Sequence, residues 1–321
     1  MKYIDMHCDT ISKLFMNGGN LKSNDMHVDL NKLKKGECLL QNFAVFTDLK
    51  YHDSSFTYNV IDFYHKQMEE NKNIIKPIIN YSDIVKNENN NLISAMLTLE
   101  EGSVIDGDLN NLKRFYDLGV RMITLTWNYP NSIGYPNINC SNTNHSINDF
   151  NVSDGLTDFG IEFVRKCNEL GIIVDVSHAS DKVFYDVLKY SNKPFVASHS
   201  NSRFICKVGR NLTDQMIKDL ADRGGVLGLN FCSAFVQNGN ELCTTIDKLV
   251  EHIRHIVNVG GIDCIGIGTD FDGIKNSLEF KNASGMQLLC ESLKGCFSND
   301  ELEKIFYKNV LRVYKDCLEW W

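Results

Sequence analysis

Eight short runs of β-branched and aliphatic residues recur along the chain, each bounded by polar or glycine-containing stretches. They are Tyr3–Asp9, Cys38–Thr47, Ile93–Glu100, Val120–Trp127, Ile172–His178, Pro194–His199, Val226–Phe231 and Cys264–Phe271. Nearly continuous apolarity marks strands buried on both faces, as in a parallel sheet. Amphipathic segments long enough to be crossover helices lie between them. The pattern predicts helices over Phe159–Leu170, opened by Thr157 and stopped by Gly171, and over Asp214–Arg223, opened by Thr213 and stopped by Gly224-Gly225. A third helix is predicted over Asn299–Cys317, where Ser298 and Glu301 have capping-box spacing. Eight strand–helix units close most naturally into a (β/α)8 TIM barrel, a single catalytic domain over residues 1–321.

Two stretches interrupt the repeat. Tyr51–Lys86 is expected to carry an extra helix, and Lys86–Asn91 reads as a polar loop. Pro130–Ser153, rich in Asn, Ser, Gly and Pro, is a long connection that would lie on the active face after the fourth strand.

Composition narrows the partners. With 43% hydrophobic and 23% charged residues, the chain of 321 residues can bury a large core. Its net charge of −8 is spread without a basic block, which argues against nucleic acid and anionic membrane as partners. The start, Met1 to His7, lacks the apolar core of a secretory signal, and no run is long enough to span a bilayer. The closing Glu319-Trp320-Trp321 offers no hydrophobic tail for an anchor, so a soluble, cytoplasmic protein is expected. Eleven cysteines, irregularly spaced and without a Cys-x-x-Cys pair, read as packed thiols, with Cys8 notable for lying inside the first polar motif.

That motif is one of several placed alike. His7 and Asp9 fall at the end of the first strand, Glu100 of the third, His178 of the fifth, His199 of the sixth and Asp270 of the eighth. In a barrel of this kind the carboxyl ends of the strands form the catalytic face. Burying so many polar groups costs several kcal/mol apiece unless they pair or bind a cation. Singly, His178 or His199 is as well read as a hydrogen-bonded core histidine; together with His7 they point to a metal. Imidazole and carboxylate without thiolate suit zinc, with manganese, cobalt or iron as substitutes. Three histidines and several carboxylates exceed what one catalytic zinc needs, whereas two ions sharing a carboxylate and a hydroxide would use them all. Gly266–Gly273 lacks the spacing of a phosphate loop, and we read it as a strand ending in Asp270, a proton acceptor for the attacking water, with Asp272 supporting the loop.

At these residues the sequence resembles the membrane dipeptidase (renal dipeptidase) family, as a soluble, bacterial-type member. The resemblance runs from His7-x-Asp9 through Glu100-x-Gly102, Leu125-Thr126, Gly155-Leu156-Thr157-x-Phe159-Gly160, Asp175-x-Ser177-His178, Ser198-His199-Ser200 and Arg210-Asn211 to Gly268–Gly273. It implies a barrel of the metallo-dependent hydrolase type and a small peptide substrate. It implies that His7 and Asp9 bind one zinc, that His178 and His199 bind the second, that Glu100 bridges both and that Asp270 shuttles the proton. Arg210 would hold the substrate carboxylate in a bidentate fork. Tolerance of a carboxyl-side D-residue, hydrolysis of β-lactams and a homodimer are implied by the resemblance alone.

Two departures stand out. Glu-Gly-Gly in the family is Glu100-Glu101-Gly102 here, which makes Glu101 a rival bridge, although consecutive strand residues face opposite ways. A family histidine that follows Leu-Thr is replaced by Trp127, which cannot carry positive charge. Trp127 then lines the substrate site, and stabilisation of the oxyanion falls to zinc or to a loop residue such as His145. His27, His52, His65, His252 and His255 match no motif and read as surface or helix histidines. Two other readings compete: an amide or lactone hydrolase of the amidohydrolase type, disfavoured by His-x-Asp in place of His-x-His, and a non-catalytic metal- or peptide-binding barrel, favoured only by Trp127.

Overall fold

The structure, a computed structural model, describes residues 1–139, 149–239 and 242–319. His145 and the closing Trp320-Trp321 lie outside them. Eight parallel strands form the wall: β1 (Tyr3–Asp5), β2 (Cys38–Phe46), β3 (Ile93–Glu100), β4 (Val120–Thr124), β5 (Ile173–Asp175), β6 (Val196–Ser200), β7 (Val226–Leu229) and β8 (Ile265–Ile267). Each pairs with the next, and β8 returns to β1 with Asp5 opposite Ile267, so the sheet closes. The expected (β/α)8 barrel is what forms.

Several strands stop earlier than their apolar runs. β1 ends at Asp5, but residues 6–9 still run beside the eighth strand, with Met6 N donating to Ile267 O at 2.9 Å and Asp9 N to Phe271 O at 2.9 Å. The chain thus stays extended after the regular ladder ends, which is why the pattern reads longer than the strand. The expectation for residues 51–91 needs correction. Two helices occur there, Ser54–Glu70 and Tyr81–Asn89, with a short strand Ile75–Pro77 between them that pairs with β3. Lys86–Asn89 is helical because Asn80 and Asp83 form a capping box that starts a helix able to override the polar run.

The other caps are as expected. Thr157 accepts from Gly160 N, Thr213 from Met216 N, and Ser298 and Glu301 make a capping box. The last helix runs from Asn299 to Leu318 with a π turn at Lys304–Lys308.

That helix plugs one end of the barrel. Val310, Val313 and Tyr314 pack against Ile4, Leu40, Met96, Met122, Val196 and Val226, all near the starts of their strands. Asn309 fastens it by donating to Ile262 O at 2.8 Å and Ile265 O at 2.9 Å. Inside, Gly228 leaves room for Met6, since a Cβ there would come 2.6 Å from Met6 Cε and 1.9 Å from Ser198 O. A second, larger apolar cluster joins the outer faces of the strands to the surrounding helices. All ten described cysteines are free, and Cys8 is buried with its thiol donating to Asn42 O, turned out of the bowl. Among the described residues no helix is long and apolar enough to cross a membrane.

Candidate metal centre

The open end of the barrel gathers His7, Asp9, Glu100, His178, His199 and Asp270, all at the carboxyl ends of strands. Alternation along the extended chain sends His7 and Asp9 into the bowl and Cys8 away from it. Glu100 stands at the centre, 96% or more shielded from solvent. Its Oε2 lies 3.4 Å from His7 Nε2, while Oε1 lies 3.0 Å from His178 Nε2 and 3.7 Å from His199 Nε2. His7 Nε2 is 3.8 Å from Asp9 Oδ2. Ligand atoms of His7, Glu100 and His199, and of His7, Asp9 and Asp270, form two groups each within 4.8 Å.

Glu101, the rival, faces elsewhere. Its backbone is left-handed (φ 96°), and its carboxylate accepts from Ser103 N at 3.0 Å, Asn131 Nδ2 at 2.6 Å and Trp127 N at 3.3 Å. It ties down the loop carrying Trp127.

The histidines are oriented from behind. His178 Nδ1 sits 3.0 Å from Asn128 Oδ1, an acceptor, so the ring proton belongs on Nδ1. Asp175 Oδ2 accepts from Ser198 Oγ at 2.6 Å, which commits that hydroxyl proton; His199 Nδ1–H then donates to Ser198 Oγ at 2.7 Å. Asp175 also accepts from Ser177 N at 3.0 Å, Ser198 N at 2.8 Å and Thr124 Oγ1 at 2.6 Å. Both rings therefore present bare Nε2 lone pairs, 3.1 Å apart, beside a carboxylate oxygen. His7 goes further: both of its ring nitrogens are buried without a hydrogen-bond partner. Lone pairs and carboxylates converging this way fit a cation between them, and oriented imidazoles of this kind are the usual surroundings of a catalytic metal.

Electrostatics agree. Burial opposes a charge on His7, but Glu100, with Asp9 and Asp270, outweighs it and pushes the imidazole up to about 10. Burial and the nearby Arg210 guanidinium hold His178 down to about 4, and burial with His7 depresses His199. Burial and Glu100 raise Asp9 well above the usual carboxylate range. For Glu100, burial is overcome by His7 and His178, and its pKa falls. The cluster is short of positive charge, which a divalent ion would supply.

Asp270 follows β8 in a left-handed conformation (φ 60°), at a cost of about 1–2 kcal/mol for a non-glycine residue. Its N–H donates to His7 O at 3.1 Å, and Oδ2 accepts from Asn230 Nδ2 at 3.0 Å. Burial, reinforced by Glu100, raises its pKa to about 6. Asp272 supports the loop as expected: Oδ2 accepts from Thr10 Oγ1 at 2.5 Å and Oδ1 from His27 N at 2.7 Å.

Arg210 lines the cavity beside His178 and His199. Its guanidinium donates to Ser177 O, to Ser200 Oγ at 3.3 Å and to His199 O at 3.2 Å, with Nη2 3.1 Å from His178 Nε2. It is stacked 5.1 Å from the Phe235 ring, and its Nε is buried with no partner. Above the centre opens a cavity of about 390 Å³, within the roughly 300–1,000 Å³ of small-molecule sites. Trp127 forms one wall, its ring 4.7 Å from Phe46.

The membrane dipeptidase model of peptidase family M19 matches residues 1–319. The chain belongs to this family. It is therefore a metallo-dipeptidase, with a family model covering every element of the centre. An uncharacterized Klebsiella pneumoniae protein from the pqqA 5' region is 33% identical over 239 residues, covering 73% of this chain and 86% of that protein. An uncharacterized dipeptidase of Schizosaccharomyces pombe is 30% identical over 305 residues, 90% of this chain and 72% of its own length. A Rhodobacter sphaeroides metallo peptidase, solved with a phosphinate mimic of L-Ala-D-Ala, superposes with a TM-score of 0.90 at 22% identity and 99% coverage of both chains, which shows the fold.

All eight site residues read from the sequence meet at one place: six line the cavity, and His7 and His199 lie directly beneath it against Glu100. Sequence reasoning missed the supports. Asp5, fully buried, accepts from Thr269 N and Oγ1, each at 2.8 Å, and fixes the start of the Asp270 turn. An Asp inside the apolar run Tyr3–Met6 was the available signal. Asn230, Asn128 and His27 carried none, because their partners are distant in sequence. His27 proves to be a loop residue accepting from Asp272 N at 3.1 Å, and His252 a fully buried helix residue.

Proposed function

We propose that this metallo-dipeptidase uses two zinc ions, one on His7 and Asp9, the other on His178 and His199, with Glu100 shared, and that it accepts dipeptides ending in a D-residue. The observation that carries the reading is the split of the Glu100 carboxylate, one oxygen toward His7 and the other toward His178 and His199. When bound, the metal pair supplies Lewis-acid polarisation of the scissile carbonyl and acidifies the attacking water. The chain's own residues do the rest. Asp270 takes the proton of the attacking water and returns it to the leaving amine, held in position by Asn230. Arg210, at the cavity wall, receives the substrate's free carboxylate. Trp127 and Phe46 wall the cavity and exclude water from the reacting bond. The mimic bound by the Rhodobacter protein, which has a D-residue at its carboxyl side, supports the stereochemical tolerance.

The test is metal content by mass spectrometry together with a dipeptide panel. Two zinc equivalents per chain and hydrolysis of both L-Ala-L-Ala and L-Ala-D-Ala are expected. A single equivalent in the fully active protein would refute the shared centre, and failure to cleave L-Ala-D-Ala would refute the tolerance.

A further inference from the structure

We propose that the site selects dipeptides whose amino-terminal residue bears a side-chain carboxylate, an inference that rests on the dipeptidase reading above. The observation is a pair of lysines on one rim. Lys13, from the helix Thr10–Asn17, and Lys275, in the loop after Asp270, both line the cavity over the metal centre. Among the described residues neither ammonium has an ion-pair partner, whereas Lys113 and Lys182 pair with carboxylates one helical turn away. Two unpaired ammonium groups at a cavity mouth, in a protein of net charge −8, make a local positive field against the general balance.

Their side of the cavity is defined. Arg210 lies against His178 and His199. On the Asp9 side of the centre, the Gly273 backbone approaches Asp9 and Asp270 so closely that a Cβ would come 2.1 Å from Asp9 Oδ2 and 2.4 Å from Asp270 Oδ1. Ile274 and Lys275 continue from that wall, and Lys13 stands one helical turn after Asp9. A dipeptide with its α-carboxylate on Arg210 and its peptide bond over Glu100 points its amino-terminal residue at this wall. The carboxylates of Asp9 and Glu100 turn to His7, 3.8 Å and 3.4 Å from its Nε2, and among the described residues neither forms an ion pair with Lys13 or Lys275. The substrate's own ammonium adds a third positive charge there. A Glu or Asp side chain offsets it by reaching Lys13 and Lys275, and a Lys or Arg side chain compounds it.

The experiment compares kcat/KM of the zinc-loaded enzyme for Glu-Ala, Gln-Ala and Lys-Ala, at low salt and at about 0.5 M salt, where exposed charges are screened within a few Å. Glu-Ala should exceed Gln-Ala about five- to tenfold, with Lys-Ala lowest. Replacing both lysines (Lys13→Met with Lys275→Met) should bring the Glu-Ala to Gln-Ala ratio near one, as should high salt; the ratio cancels any general loss of activity. A wild-type ratio at or below one overturns the inference, as does a ratio that survives the double replacement. If the three peptides are cleaved alike, dipeptidase action stands and the charge selection falls; if the metal-loaded protein cleaves none of them, both fall.

Discussion

The two ends of this barrel solve opposite problems. At the closed end, Val310, Val313 and Tyr314 meet the strand starts in an apolar plug. At the open end, imidazoles and carboxylates crowd within hydrogen-bond range, and Glu101, Asp270 and Asp272 all adopt left-handed backbone (φ 96°, 60° and 68°). One end contributes stability by excluding water. The other holds strained, mutually repelling groups that the rest of the fold must keep in place. The difference teaches that damage at the two ends should register in different measurements.

The largest effect is expected at a ligand. His178→Ala should lose one metal equivalent by mass spectrometry and essentially all activity; unchanged metal content would mean His178 is not a ligand. Next comes Asp270→Asn, which should retain both metals yet lower kcat by about 10²–10⁴-fold. Asp270 must be ionised to accept a proton. Its pKa, raised to about 6 by burial, is drawn lower by bound cations, so wild-type kcat/KM should be full at neutral pH and fall as pH drops through a value at or below about 6. An acidic limb that persists in Asp270→Asn would assign it to another group. Arg210→Ala should raise KM roughly 10–100-fold for free dipeptides and much less for carboxyl-amidated ones. Equal losses on both would remove Arg210 from carboxylate recognition. The smallest effect belongs to the closed end. Val313→Ala should lower stability by roughly 1–3 kcal/mol in denaturant titration while leaving KM and metal content alone. A change in metal affinity there would show that the two ends are coupled after all.

Much of this was legible because both periodicities involved are short. Apolar runs marked the eight strands, and candidate ligands at the ends of five of them pointed to the bowl; His7 and Asp9 two apart sufficed to put both on one face. Alternation meant that only one of Glu100 and Glu101 could face the bowl, and the fold turns Glu100 there. What stayed hidden depends on contacts between distant segments. Asp5 with Thr269, Asn230 with Asp270 and His27 with Asp272 are separated by the whole or part of the barrel, and nothing local distinguishes them from other polar residues. Lys86–Asn89 was misread because a run of Asn and Lys looks like a loop, whereas the capping residues that start its helix lie upstream at Asn80 and Asp83. Lys13 and Lys275 lie near opposite ends of the chain, and only the fold brings both to one rim.

The seam between β1 and β8 has a consequence for how the protein is made. Asp9 N bonds Phe271 O and Asp270 N bonds His7 O, so the first strand of the barrel waits for one made more than 250 residues later before His7 and Asp9 acquire their neighbours. A nascent chain short of residue 271 would carry His7 and Asp9 on an open sheet edge, unable to capture an ion in the finished geometry. On the proposed ligand set, metal loading would follow closure of the barrel and not precede it.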